Sequence, residues 1–368
     1  MKVLISTDTV GGVLTYTAEL AAALEAAGDE VVVATLGPPL RPGQRQLLPK
    51  RVHESEFRLE WMEDPWDDVA AAGEWLREIE AEERPDVVHL CSYAHGAESF
   101  RAPKVVVAHS CVLTWWRAVH GTEAPPAWDR YREQMSAGLQ AADAVVAPTQ
   151  AMLTELQRDH DLDPRRATVI PNGTARTQTP APSELHQISG LLGRKFDAVR
   201  GGGLVLGSGR FWDAAKNLPA LDTAAKELAW PVVVAGDLGG GRPPSHAESA
   251  GLLDADALGE LRRHASIYAA PAVYEPFGLG ILEAARDGCA LVLGDIPSLR
   301  ELWADAAIFV EPRDHRALHD VLACLVEAPE IRKDLAYRAR QRAAKYSIER
   351  TALAYRHLYE QLTAKVGV

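Results

Sequence analysis

Residues 1–34 read MKVLISTDTVGGVLTYTAELAAALEAAGDEVVVA. An apolar run at 3–5 leads to the pair Gly11-Gly12. A stretch rich in Ala and Leu, 14–27, follows and stops at Gly28, a good residue for a helix C-terminus. A second apolar run, 31–34, comes directly after. Neither run alternates apolar with polar residues, which is how strands covered on both faces of a parallel sheet read. The stretch is one β-α-β unit, and it starts a sheet with helices on both sides.

The same rhythm continues outward. Apolar runs recur at 87–90, 105–108, 144–147 and 168–170, then at 204–206, 232–235, 267–270, 290–293 and 307–310. Helix-length amphipathic stretches separate them, so the class is α/β and doubly wound. The two series meet near 171–200, where Pro171-Asn172-Gly173 and Thr177-Gln178-Thr179-Pro180-Ala181-Pro182 suit a connection between domains. Two Rossmann-like domains facing each other across a cleft are expected, at 1–175 and 176–345. The strongly helical end of the chain, with no strand after it, is expected to pack back and complete the first domain from about 346 to 368.

The 368 residues carry a net charge of −12, with 47% hydrophobic and 24% charged residues. That is ordinary globular composition, and the acidic total argues against a broad nucleic-acid face. The opening residues lack a long apolar core with a cleavage site, and no run of about 18 apolar residues occurs, so a cytoplasmic location is expected. Four cysteines, Cys91, Cys111, Cys289 and Cys324, form no Cys-x-x-Cys pair and read as four buried thiols. Arg41, Arg45, Lys50 and Arg51 lie near Leu47-Leu48. A solvated loop is the simpler reading of that segment, and membrane association is not expected. The tryptophans concentrate before residue 129 and read mainly as core or helix packing, with ring stacking the second reading for Trp115 or Trp116.

The chemistry is carried by Tyr274-Glu275-Pro276-Phe277-Gly278-Leu279-Gly280-Ile281-Leu282-Glu283-Ala284-Ala285. It follows the run at 267–270 and leads into a helix. Ligands of open α/β sheets bind outside the C-terminal ends of strands, and a helix N-terminus there offers free N–H groups. Carboxylates in that place can accept hydrogen bonds from sugar hydroxyls. A lone pair of glutamates eight apart would more often be surface residues; the complete string is far more specific.

That string resembles the Glu-x7-Glu signature of family-4 retaining glycosyltransferases of the GT-B fold. The resemblance covers most of the chain and implies a nucleoside-diphosphate sugar as donor. It implies that Glu283 holds the ribose hydroxyls and that Glu275 and the backbone amides of Phe277, Gly278 and Leu279 meet the transferred sugar. It also implies that Arg210 and Lys216, after Gly207-Ser208-Gly209, neutralise the diphosphate. In the first domain it implies roles for Gly11 and Gly12 at the donor and for His109, at the end of the run 105–108, beside the transferred sugar. Asp237 matches a turn near the nucleotide. The chain departs from the pattern at Pro271-Ala272, where a serine is usual, and at Lys216-Asn217, where many relatives have Lys-Gly.

The resemblance further implies front-face transfer with retention, no covalent nucleophile and no cofactor. No metal is expected: Asp161-Leu162-Asp163 and Asp254-Ala255-Asp256 are chance-level triplets that do not follow a strand. Acceptor, linkage and oligomeric state are not readable. Two other classes use related frames. A nucleotide-sugar epimerase would convert the free donor without an acceptor, and a sensor would bind it without turnover. An NAD-dependent oxidoreductase lacks its Gly-x-Gly-x-x-Gly here.

Overall fold

The computed structural model describes residues 1–175 and 203–366. The chain forms two compact units, Met1–Ala175 with Ser347–Val368, and Arg176–Tyr346. Of the connection read from sequence near 171–200, everything from residue 176 on lies outside the described residues.

The first unit is a seven-stranded sheet in the order β3-β2-β1-β4-β5-β6-β7. Its strands are β1 (Lys2–Asp8), β2 (Glu30–Leu36), β3 (Val52–Glu54), β4 (Val87–Leu90), β5 (Lys104–Val107), β6 (Ala144–Ala147) and β7 (Ala167–Val169). All neighbours are parallel. Helices α1 (Gly12–Ala26), α2 (Pro42–Leu47), α3 (Trp66–Glu83), α4 (Val112–His120), α5 (Asp129–Ala141) and α6 (Gln150–Asp159) make the connections. The chain winds to one edge through β2 and β3, then returns to start the other half at β4. The gap between the ends of β1 and β4 is therefore a switch point, where such sheets bind ligands.

The second unit repeats the plan with six parallel strands, β10-β9-β8-β11-β12-β13. They are β8 (Val205–Ser208), β9 (Val232–Ala235), β10 (Glu248–Gly251), β11 (Ile267–Ala270), β12 (Ala290–Gly294) and β13 (Ile308–Val310). Helices α7 (Leu218–Ala225), α8 (Ala255–His264), α9 (Leu279–Asp287), α10 (Pro297–Trp303), α11 (His315–Glu327) and α12 (Pro329–Ala343) cover it. Here the switch point lies between β8 and β11. The central strands are apolar at nearly every position and buried along most of their length, as double-sided covering requires.

Two strands escape the sequence reading, β3 and β10. Both are edge strands of three or four residues, half exposed, and β10 carries an irregularity between Ser249 and Gly251. Edges are kept short and polar, so they lack the apolar run that marks a central strand. The expectation of four buried thiols is corrected at two positions: Cys91 is half-buried, and Cys324 is exposed, on α11 away from the buried Leu318, Leu322 and Leu325.

The helical end is two helices. α12 sits in the second core through Ala339 and Ala343, whereas α13 (Ile348–Val366) packs on α1 in the first unit, with Tyr355 and Tyr359 fully buried. The chain crosses back at Ser347, which bridges to Thr174. Gly173 permits this: a Cβ there would lie 2.4 Å from the Ser347 carbonyl oxygen. Part of the Pro-Asn-Gly signal is thus a docking site for the returning chain. Among the described residues no helix is long and apolar enough to cross a membrane.

Candidate active site

The second switch point is built from the loops after β8 and β11. After β8 the chain runs through Gly209 and Arg210 to a single helical turn, Ala214–Lys216. Gly236, just after β9, lets the loop after β9 close against the loop after β8: a Cβ there would lie 1.9 Å from the Gly209 carbonyl oxygen. The Phe211 amide also donates to the Asp237 carbonyl at 2.7 Å. After β11 the loop turns at Gly278, whose φ of 85° favours glycine, and enters α9. The first N–H groups of α9 then face the same end of the sheet.

Lys216 and Glu275 meet here. Lys216 Nζ donates to Glu275 Oε2 at 2.6 Å, and both side chains are about one-fifth exposed. Strand order brings together these residues, 59 positions apart. Arg210 lies on the same loop, 3.9 Å from Asp213 and 5.3 Å over the Trp212 ring. Asp237 is exposed and its carboxylate accepts the Gly239 amide at 2.8 Å, so its side chain shapes the turn after β9. The Phe277 ring is buried edge-on to Tyr346, leaving its backbone as the part that can face a ligand.

Glu283 is held by a residue the sequence did not single out. Arg262, on α8 and 5% exposed, lies 2.9 Å from Glu283 and donates to Asp287 at 2.8 Å. Burial raises the Glu283 pKa; Arg262 opposes this and Asp287 adds to it. Tyr268, from β11, was also missed. Its buried hydroxyl lies 2.8 Å from Ser208 Oγ and is pushed up to about 12 by burial, with Arg262, Glu283 and Glu275 all acting on it. The two carboxylates therefore share one electrostatic environment. No sequence signal marks Arg262; it is one of the adjacent cations Arg262-Arg263 on an amphipathic helix.

The departure at Asn217 has a local cause. Its φ is 58°, and its amide donates to the carbonyls of Pro271 and Pro312 at 2.8 and 2.7 Å. A left-handed position suits Gly or Asn, and Asn also ties the Lys216 loop to the Glu275 loop.

The remaining residues belong to the first unit. Gly11, with φ of 77°, and Gly12 are exposed at the start of α1. His109 follows β5, packs edge-on to Tyr16 with ring centres 4.5 Å apart, and has Nε2 3.3 Å from Cys91 Sγ. Burial pushes its pKa down to about 3, so it is a neutral hydrogen-bonding group near pH 7. Beneath it His89 Nδ1 lies 2.7 Å from the Tyr359 hydroxyl of α13. Trp116 leans on the core and stacks with Trp115 and His120. Two cations of the basic segment are paired: Arg45 with Glu54, and Arg51 with Glu30 and Glu83. Asp163 and Asp254 each cap a helical turn, accepting the amides of Arg165 and Ala257. Among the described residues no three His, Cys, Asp or Glu side chains cluster as metal ligands would.

Two doubly wound units with this constellation define a GT-B glycosyltransferase fold. Sequence profiles agree: Glycosyltransferase Family 4 matches residues 10–177, and Glycosyl transferases group 1 matches 244–342. The chain belongs to family 4 of the GT-B glycosyltransferases. It is 29% identical over 252 residues to a D-inositol 3-phosphate glycosyltransferase of Salinispora arenicola, covering 61% of this chain and 56% of that protein. It is 27% identical over 245 residues to an alpha-maltose-1-phosphate synthase of Mycolicibacterium smegmatis, covering 59% and 58%. These alignments span little more than half the length of either relative. Sucrose-phosphate synthase from Thermosynechococcus elongatus superposes with a TM-score of 0.81 at 19% identity, covering 99% of this chain and 100% of that one. Anabaena HepE in complex with UDP-glucose superposes at 0.77 and 17%, covering 98% and 100%. At those identities the likeness concerns the fold.

Proposed function

We propose that the chain transfers a sugar from a nucleoside-diphosphate sugar to an acceptor hydroxyl, with retention at the anomeric carbon and without a metal ion. The observation that supports this most is the Lys216–Glu275 pair, 2.6 Å apart at the second switch point. It puts a cation for the diphosphate beside a carboxylate for the sugar. Glu283, anchored by Arg262, accepts the ribose hydroxyls. Arg210 and Lys216 meet the charge that grows on the diphosphate as the glycosidic bond breaks, and that charge is larger in the transition state than in the ground state. Glu275 and the backbone at Phe277 to Leu279 orient the transferred sugar. Asp237 borders the nucleotide, while Gly11, Gly12 and neutral His109 serve from the first unit as uncharged contacts. The bond from the anomeric carbon to the diphosphate oxygen breaks. The acceptor oxygen bonds the same face of that carbon, and its proton passes to the departing diphosphate.

A thermal-shift titration with uridine, guanosine and adenosine diphosphates, with and without chelator, tests the donor side. Ligand at 100 times its Kd adds about 2.7 kcal/mol to stability. The expected shift survives chelation and disappears in Glu283→Ala. A shift that requires divalent metal overturns the metal-free part, and no shift with any nucleoside diphosphate overturns the whole reading. The anomeric configuration of the product, read by NMR against that of the donor, tests retention.

A further inference from the structure

Trp212 stands at the second switch point with 44% of its surface exposed. Its neighbour Phe211 is buried in the second core and anchors the backbone there. Arg210 and Trp212, on either side of Phe211, meet outside that core: the Arg210 guanidinium carbon lies 5.3 Å from the centre of the Trp212 ring. This is cation–π distance. Contact through the flat face of a guanidinium leaves its N–H fork in the plane, where the oxygens of a diphosphate would bind. The Asp213 carboxylate does not take up that fork. Its Oδ2 is 3.9 Å from Arg210, beyond hydrogen-bond reach, and its Oδ1 accepts the Ala215 amide at 2.9 Å. The indole therefore holds Arg210 by its face rather than by its donors.

The indole is itself seated. Gly239, in the turn after β9, has φ of 58°, and a Cβ there would lie 2.6 Å from Trp212 Cβ and 3.0 Å from its Cγ. A side chain at 239 would push the ring away. The Asp237 carboxylate holds this turn by accepting the Gly239 amide, while the Asp237 carbonyl ties it to the Phe211 amide. The loops after β8 and β9 thus fix the ring, and the ring fixes the arginine. An arginine held beforehand loses less rotamer freedom when its ligand arrives.

We propose that Trp212 is a positioning residue for Arg210: seated on Gly239, its indole face holds the guanidinium and leaves the N–H fork for the diphosphate of the donor. This rests on the donor-site reading above and adds to it a side chain that touches no substrate.

The test is calorimetric titration of the full chain with the tightest binder among uridine, guanosine and adenosine diphosphate, and with the matching nucleoside. Trp212→Ala should weaken the nucleoside diphosphate about threefold to fivefold, the size of an exposed cation–π contact, and leave the nucleoside unchanged. Trp212→Phe, which keeps an aromatic face, should recover most of the loss. Arg210→Ala should weaken the diphosphate at least about tenfold, and in that background Trp212→Ala should add nothing, because the indole acts through the guanidinium. An unchanged affinity in Trp212→Ala overturns the inference. So does a loss that persists undiminished without Arg210, and so does an equal loss for the nucleoside, which would put the ring on the base. A parent that binds no nucleoside diphosphate, or an Arg210→Ala variant that binds it as the parent does, instead removes the donor-site reading on which the inference stands.

Discussion

Replacing Arg262 by glutamine removes the cation that lies 2.9 Å from Glu283 and 2.8 Å from Asp287. Taking one partner out of a buried ion pair costs about 3–5 kcal/mol, because the charge left behind is uncompensated. Arg262 and Asp287 side chains are each 6% exposed but Glu283 is 24% exposed, so water screens part of the loss and about 3 kcal/mol is expected. Urea unfolding followed by tryptophan fluorescence measures it. The second readout is pH. Glu283 faces Arg262 from α8, Tyr268 from β11, and Arg286 and Asp287 on its own helix. Its pKa is already raised by burial, and loss of Arg262 raises it further. A carboxyl with a raised folded pKa contributes stability that is present at low pH and lost as pH rises from the ordinary carboxylate range through the folded value. Ribose binding needs the ionised form, so nucleotide affinity runs the opposite way and rises with pH. The variant should bind uridine diphosphate more weakly at low pH than at high pH, and more steeply so than the parent. A stability loss under about 1 kcal/mol, or a variant affinity that is flat in pH, refutes the claim that Arg262 sets the state of Glu283.

Lys216→Met should lower kcat about 10²–10³-fold, as removal of one transition-state donor does, and combining it with Glu275→Gln should cost less than the two losses summed; strict additivity would show that the pair does not act together. His89 and His95 have pKa values pushed down to about 3 and about 4 by burial, so their stability contribution is complete above the unfolded value near 6.5 and is lost as pH falls. Each should cost about 2 kcal/mol between pH 6.5 and 5 in urea unfolding, as should His109, so His89→Asn should remove about a third of the loss these three produce; an unchanged loss sinks the argument. Asn217→Ala should be about 1–2 kcal/mol less stable than Asn217→Gly, because both lose the two amide bonds but only alanine resists the left-handed backbone; equal denaturation midpoints would contradict it.

The interior of both sheets was legible because its physics is local. A strand covered on both faces must be apolar at nearly every position, so runs such as Val105 to Val107 and Val232 to Val234 announce themselves. β3 and β10 did not: both are edge strands and, unlike the edges β7 (ATV) and β13 (IFV), they are mostly polar or small (VHE and ESAG), which also describes a loop. The fate of the chain end was half legible. Composition reads as helical over about 330–362, with a return to the first unit expected from about 346; what it does not give is the break at 344–347 that makes two helices of the stretch and buries Tyr355 and Tyr359. Gly173 looked like a linker residue, although what it provides is room for Ser347.

The site shows the limit more sharply. Each charge in it is visible in sequence as a sign at a position, and the resemblance singled out Glu275, Glu283, Arg210 and Lys216. Which charge meets which is decided by strand order. Lys216 meets Glu275 because β8 lies beside β11; with the same motifs and β8 flanked by β9 and β12, the ammonium and the carboxylate would stand a strand apart. Arg262 is the harder case. Arg262 and Arg263 are adjacent on one amphipathic helix, yet one is 5% exposed and pairs with Glu283 and Asp287, while the other pairs with Glu260 a turn earlier. A rotation of about 100° around the helix separates a site residue from a surface cation. Composition and motif cannot supply that rotation. It is set by Leu261 and Gly259 turning their side of α8 into the core.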